Sequence, residues 1–245
     1  MKALARALLE TGEPFPFPYP LPATIHAGDL VEVLAAPKVG KSTLAADWAL
    51  KVAERGLPVL YHTTDTRLWA QAVRVAANLF DETTAAIEER RDYWSGRLAG
   101  VDYPIRWSSA PLNDANFHEI LEAEKEFLGQ YPAMVIVDVA FDLMRGEDGP
   151  GPANQVFRAL HAAAGRTGAV VVALHHVKGG DAASGDQFVS MTDSLYRIER
   201  IPEVILTLWK AAPHRLSMHL AKNRTGKDGM TATLDVDYER ARIGA

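Results

Sequence analysis

The stretch LVEVLAAPKVGKSTLAADWAL, residues 30–50, constrains the chain more than any other. A β-branched apolar run at 30–35 leads into a loop, and a helical pattern follows. Leu44, Ala45, Trp48, Ala49 and Val52 recur at helical spacing, and Gly56 and Pro58 end the run. The loop meets the pattern GxxxxGK[ST] at Gly40, Lys41 and Ser42, in the strand–loop–helix context that pattern needs. The chemistry explains the residue types. Backbone N–H groups of the loop and helix start point at phosphate oxygens. Gly40 lets the backbone approach closely, Lys41 neutralises β- and γ-oxygens, and Ser42 offers a hydroxyl to Mg²⁺. The expected phosphate-binding set is Ala35, Ala36, Pro37, Lys38, Val39, Gly40, Lys41, Ser42 and Thr43. Ala35 stands where the pattern has its first glycine, so φ must stay below zero there or carry strain.

Strand and helix patterns alternate through most of the remaining chain. PVLYHTT (58–64), AMVIVDV (133–139), AVVVALHH (169–176) and EVILTLW (203–209) read as strands, with a shorter one at 104–110. Leu68, Ala72, Ala76 and Leu79 mark one helix. Phe117, Ile120, Leu121, Phe127 and Leu128 mark another, and Val156, Phe157, Leu160 and Ala164 a third. Runs apolar on both faces are typical of buried parallel strands. The expected fold is therefore α/β, a mostly parallel central sheet with helices on both faces. RLSMHLAK (215–222) and MTATLDVD (230–237) flank a turn-rich segment and predict a C-terminal antiparallel hairpin. Residues 1–23 read as a short helix and a proline-rich arm, and 24–245 as one domain.

Composition narrows the function classes. There is no cysteine, which removes disulfides, thiolate catalysis and Cys-based zinc sites. No apolar run is long enough to cross a membrane, and the start carries no secretory h-region, so a cytoplasmic protein is expected. The net charge is −5, yet residues 204–227 hold five cations and no acid. Such a local basic surface suits a subunit interface, a phosphate site or a DNA contact, or equally a solvated hairpin.

Two acids complete a phosphate-transfer reading. Asp138 ends the apolar strand MVIVD and is placed to hold Mg²⁺ opposite Ser42. Asp65, after VLYHTT, is the candidate for orienting the attacking water; an Asp there also suits a helix N-cap.

APKVGKSTLA, VLYHTTDTRL, MVIVD, VVALHHVKGG and AKNRTGKDG, in that order, resemble the RecA-like ATPase domain of DnaB-like and plasmid RepA-like hexameric replicative helicases. The resemblance covers roughly residues 20–240. It implies an Mg²⁺-dependent ATPase with Asp65 as catalytic base and a γ-phosphate sensor at His175 or, preferably, His176. It implies that Lys222 and Arg224, a K-x-R pair, reach the ATP of a neighbouring subunit in a homo-oligomeric ring. Loops 141–155 and 177–194 would then line a channel for single-stranded DNA, with Arg145 and Lys178 as phosphate contacts. These loops also carry Asp142, Glu147, Asp148, Asp181, Asp186 and Asp193, which disfavour DNA. A RecA/Rad51-like recombination or annealing ATPase, and a nucleotide-binding regulator or assembly factor with little turnover, are the alternative readings.

Overall fold

The computed structural model describes residues 14–113, 115–144 and 149–244. Its centre is a sheet of nine strands: β1 (Leu30–Ala35), β2 (Val59–Thr63), β3 (Ile105–Ser108), β4 (Met134–Asp138), β5 (Val170–His176), β6 (Val204–Ala212), β7 (Arg215–Asn223), β8 (Met230–Asp237) and β9 (Arg242–Ile243). Their spatial order is β3-β2-β4-β5-β1-β6-β7-β8-β9. The six strands from β3 to β6 pair in parallel, and β6 to β9 pair antiparallel. The expected α/β architecture and terminal hairpin are both present.

The inner parallel strands β1, β2, β4 and β5 are largely apolar on both faces because each face is covered, whereas the edge strand β3 is only partly buried. Val31, Val33, Tyr61, Ile136 and Val172 point into a core with helix α1 (Lys41–Ala53). Leu60, Val135, Val137, Val171 and Ala173 point into a second core with Phe117 and Leu121 of α5 (Phe117–Leu128) and Phe157 and Leu160 of α6 (Pro150–Thr167). Helix α2 (Leu68–Phe80) packs with two short helices, α3 (Thr84–Glu89) and α4 (Arg91–Ala99), around Val73, Ile87 and Trp94.

The proline arm is extended, as its alternating prolines dictate, and lies against α1. The Tyr19 hydroxyl donates to Asp47 Oδ2 at 2.9 Å, and Trp48 Nε1 donates to the Pro16 carbonyl at 3.1 Å. Phe17 meets Trp48 edge-on. Among the described residues, no helix is long and apolar enough to cross a membrane.

Candidate functional site

The sheet order puts β1 between β5 and β6, so its C-terminal end opens at the crevice where ligands bind in such sheets. The loop after β1 turns sharply into α1. Lys38 (φ 62°) and Gly40 (φ 122°) supply the left-handed conformations. Ala35 does not: it remains in β1, paired with His176 and Leu208, and carries no strain. A Cβ on Gly40 would sit 3.4 Å from the Tyr238 ring, besides its forbidding φ.

Around this turn lies a pocket of about 470 Å³, lined among others by Lys41, Ser42, Asp65, Asp138 and His176. Five residues singled out in the sequence thus converge, from the ends of β1, β2, β4 and β5. Lys41 is buried, and its ammonium donates to the carbonyls of Ala35 (2.8 Å) and Ala36 (3.1 Å) and lies 3.4 Å from His176 Nδ1. It has no carboxylate ion pair among the described residues. Desolvation lowers its pKa to about 8, against the opposing pull of Asp138 and Asp65.

Asp138 is held from two sides. The Tyr61 hydroxyl donates to Oδ2 at 2.8 Å, and Ser42 hydrogen-bonds to it as well. Burial raises its pKa, while Tyr61, Ser42 and Lys41 pull it down. The Asp138–Val139 peptide is cis.

Asp65 is exposed at the mouth of the pocket. It is not a helix cap: the N-cap of α2 is Arg67, and no side chain caps that helix. The negative field of Asp65 acts on Lys41, Asp138 and His176 together.

The two histidines part company. His176 lines the pocket, its pKa lowered by burial and then by Lys41. His175 points into the core, where Phe141 and Phe157 meet it edge-on. Strand alternation separates them.

Lys222 and Arg224 lie elsewhere. Asn223 pairs with Val204 and Val204 with Val31, and the Arg224 amide donates to the Glu203 carbonyl. Arg224 is therefore level with the start of β1, roughly 16 Å along the strand from the phosphate loop. Its guanidinium pairs with Glu203 at 3.0 Å, and Lys222 donates to the carbonyls of Glu199 (2.9 Å) and Pro202 (2.6 Å). Lys178 is exposed, donates to the Thr192 carbonyl at 2.9 Å and lies 3.6 Å from Asp193. Arg145, with Glu147 and Asp148, lies outside the described residues.

Four pocket residues were not singled out in the sequence: Thr66 and Val139, each next to an expected aspartate, and Arg74 and Tyr238. Arg74 enters from α2, with Gln71 Oε1 at 3.5 Å and no carboxylate ion pair among the described residues. Tyr238, beyond β8, donates to the Val39 carbonyl at 3.0 Å. Arg74 carries no local signal, because α2 returns it to the pocket only in three dimensions. Tyr238 carries none, because the hairpin brings it back across the sheet.

Comparison with known proteins agrees with this geometry. Residues 4–182 match the family described as AAA domain. The Gene 65 protein of Mycobacterium phage L5 is 30% identical over 217 residues, covering 83% of this chain and 79% of that protein. The Gene 65 protein of Mycobacterium phage D29 is 29% identical over 212 residues, covering 81% and 89%. Among solved structures, the ATPase domain of G40P superposes with a TM-score of 0.80 at 16% identity, over 99% of this chain and 95% of that one. A DnaB-like replicative helicase, solved with attention to its interactions with primase, gives 0.78 at 17% identity over 89% of this chain. The chain spans 57% of that helicase's length. The chain belongs to the AAA domain family, and its fold is the RecA-like P-loop ATPase fold of DnaB-like helicases.

Proposed function

We propose that this protein hydrolyses ATP with Mg²⁺ at sites shared between subunits of a ring, and that the ring moves on or remodels single-stranded DNA. One observation carries the reading. A buried lysine with no carboxylate ion pair among the described residues, two aspartates and a histidine converge on one phosphate loop, while the arginine of the K-x-R pair lies at the opposite end of β1. A guanidinium so placed serves a neighbour's site more readily than its own.

The residues present fit a nucleoside triphosphate. The Gly40 turn leaves backbone N–H groups open to phosphate oxygens, and a buried cation whose partners among the described residues are carbonyls and an imidazole is matched by an anion. Of the expected set, Pro37, Lys38 and Gly40 to Thr43 line the pocket and hold the phosphates, whereas Ala35, Ala36 and Val39 are buried behind them; Ser42 and Asp138 would hold Mg²⁺. When bound, Mg²⁺ neutralises charge on the β- and γ-oxygens. Asp65 at the pocket mouth orients the attacking water, and its proton passes to that carboxylate or to solvent. His176, in contact with Lys41, reads the presence of the terminal phosphate. Arg74 offers a second cation from the same subunit, and the Tyr238 ring offers an aromatic face beside Gly40. Lys222 and Arg224 of one subunit complete the site of the next. An arginine supplied in this way is worth roughly 10³–10⁵ in rate. DNA contact falls to the loops after β4 and β5, including Arg145 and Lys178.

The test is the ATP hydrolysis rate across protein concentration, with and without single-stranded DNA, beside Lys41→Ala and Arg224→Ala. The reading requires turnover that rises faster than linearly with protein, rises again with DNA, and vanishes in both variants. Nucleotide binding with negligible turnover under all conditions would defeat it.

A further inference from the structure

Glu32 is a carboxyl in the middle of the central strand, fully buried and opposite Ala173 and Ile205. Nothing in the nucleotide pocket needs it. An acid in such a place is costly unless it is held by specific partners. The Ser194 hydroxyl donates to Oε1 at 3.2 Å, and Oε2 has no partner among the described residues. Burial raises the Glu32 pKa to about 8, so near neutral pH the group is largely a neutral acid.

His175 behaves in parallel. Its Nε2 is 3.0 Å from the Leu195 carbonyl and 4.0 Å from Glu32 Oε1, and its Nδ1 has no partner among the described residues. Two consecutive residues where the second loop ends, Ser194 and Leu195, are thus each gripped by a buried polar side chain of the sheet. The grip closes the neck of that loop, where Val177 bridges Ser194 and the Lys178 amide donates to the Asp193 carbonyl. A few residues on, the same segment is tied from β7. Lys222 donates to the Glu199 and Pro202 carbonyls, and Arg224 Nη2 to the Arg200 carbonyl at 3.3 Å.

We propose that Glu32 and His175 are positioning residues that tie the nucleotide pocket to segment 194–202, and through it to Lys222 and Arg224. This rests on the nucleotide-binding reading above. His176 shares Lys41 with the phosphate loop, and a phosphate competes for that ammonium. A shift at the end of β5 reaches Leu195 because the His175 ring is hydrogen-bonded to its carbonyl. Glu32 fixes Ser194 against β1, so the segment moves as a unit instead of slipping. A close-packed interior converts such a shift into a change between discrete arrangements. The cations that serve a neighbour are thereby set by whether their own subunit holds nucleotide.

The experiment is hydrogen exchange of residues 194–202 with and without a non-hydrolysable ATP analogue and Mg²⁺, in the full chain and in Glu32→Leu and Glu32→Gln. Nucleotide affinity and melting temperature are measured on each. Expected is a nucleotide-dependent change in exchange of about tenfold in the unaltered chain. It is kept in Glu32→Gln, whose amide oxygen still accepts from Ser194. It is lost in Glu32→Leu, although nucleotide still binds and the melting temperature is unchanged or higher. A purely structural role would lower the melting temperature and leave the response in place. A full response in Glu32→Leu overturns the proposal, and so does the absence of any response in the unaltered chain while it binds nucleotide. Should Glu32→Leu fail to fold, Ser194→Ala removes the same bond from the other side, and a full response there is equally fatal. Failure of the nucleotide reading would appear differently, as no binding in the unaltered chain.

Discussion

At Lys41 the fold does two opposed things to one ammonium. It removes the group from water, which favours the neutral amine, and it aims Asp138 and Asp65 at it, which favours the cation. Desolvation wins, and the pKa falls from 10.5 to about 8. The sign of the consequence follows. Phosphate binds the charged form, so affinity is complete below about pH 8 and falls as the pH rises through it, by up to about tenfold per unit. A fluorescent ATP-analogue titration between about pH 7 and about pH 9.5 reads this directly, and Lys41→Arg abolishes the fall because guanidinium does not titrate there. A flat profile in the unaltered chain contradicts the assignment. At Asp138, by contrast, the hydrogen bonds from Tyr61 and Ser42 oppose the cost of burial.

At the scale of elements, the second loop rests on the phosphate loop. Gly185 (φ 82°) lies under Val39, where an added Cβ would come within 2.9 Å of Val39 Cγ2, and its carbonyl accepts from the Lys210 amide. Gly185→Ala therefore strains the backbone and presses on the turn that holds Lys41. The expected result is nucleotide affinity lowered about tenfold or more with a stability loss of roughly 1–3 kcal/mol, read by titration and denaturant unfolding. Unchanged affinity would mean that the two loops move independently. The strands that position these loops are legible in the sequence because both faces are apolar. Helices α3 and α4 are not legible, since Ile87 and Trp94 are their only buried residues and no apolar stripe repeats. The proline arm is legible as extended, but its docking depends on Tyr19 meeting Asp47 on α1, a contact that no local pattern encodes.

For the whole molecule, the pocket residues at the ends of β1, β2, β4 and β5 were legible because each follows an apolar strand, and a parallel sheet gathers all such ends on one edge. Arg74 and Tyr238 were not, because α2 and the terminal hairpin return them to that edge only in three dimensions. The same topology sends Arg224 to the opposite end of β1, so the proposed active site is built from two subunits. The most direct measurement mixes Lys41→Ala with Arg224→Ala, each inactive alone. In a ring with head-to-tail interfaces, random mixing rebuilds roughly a quarter of the sites, with the phosphate loop from one variant and the arginine from the other. A shared site gives ATP hydrolysis that is absent from either protein and appears in the mixture. A mixture as inactive as its components, although both variants assemble, would contradict the shared site.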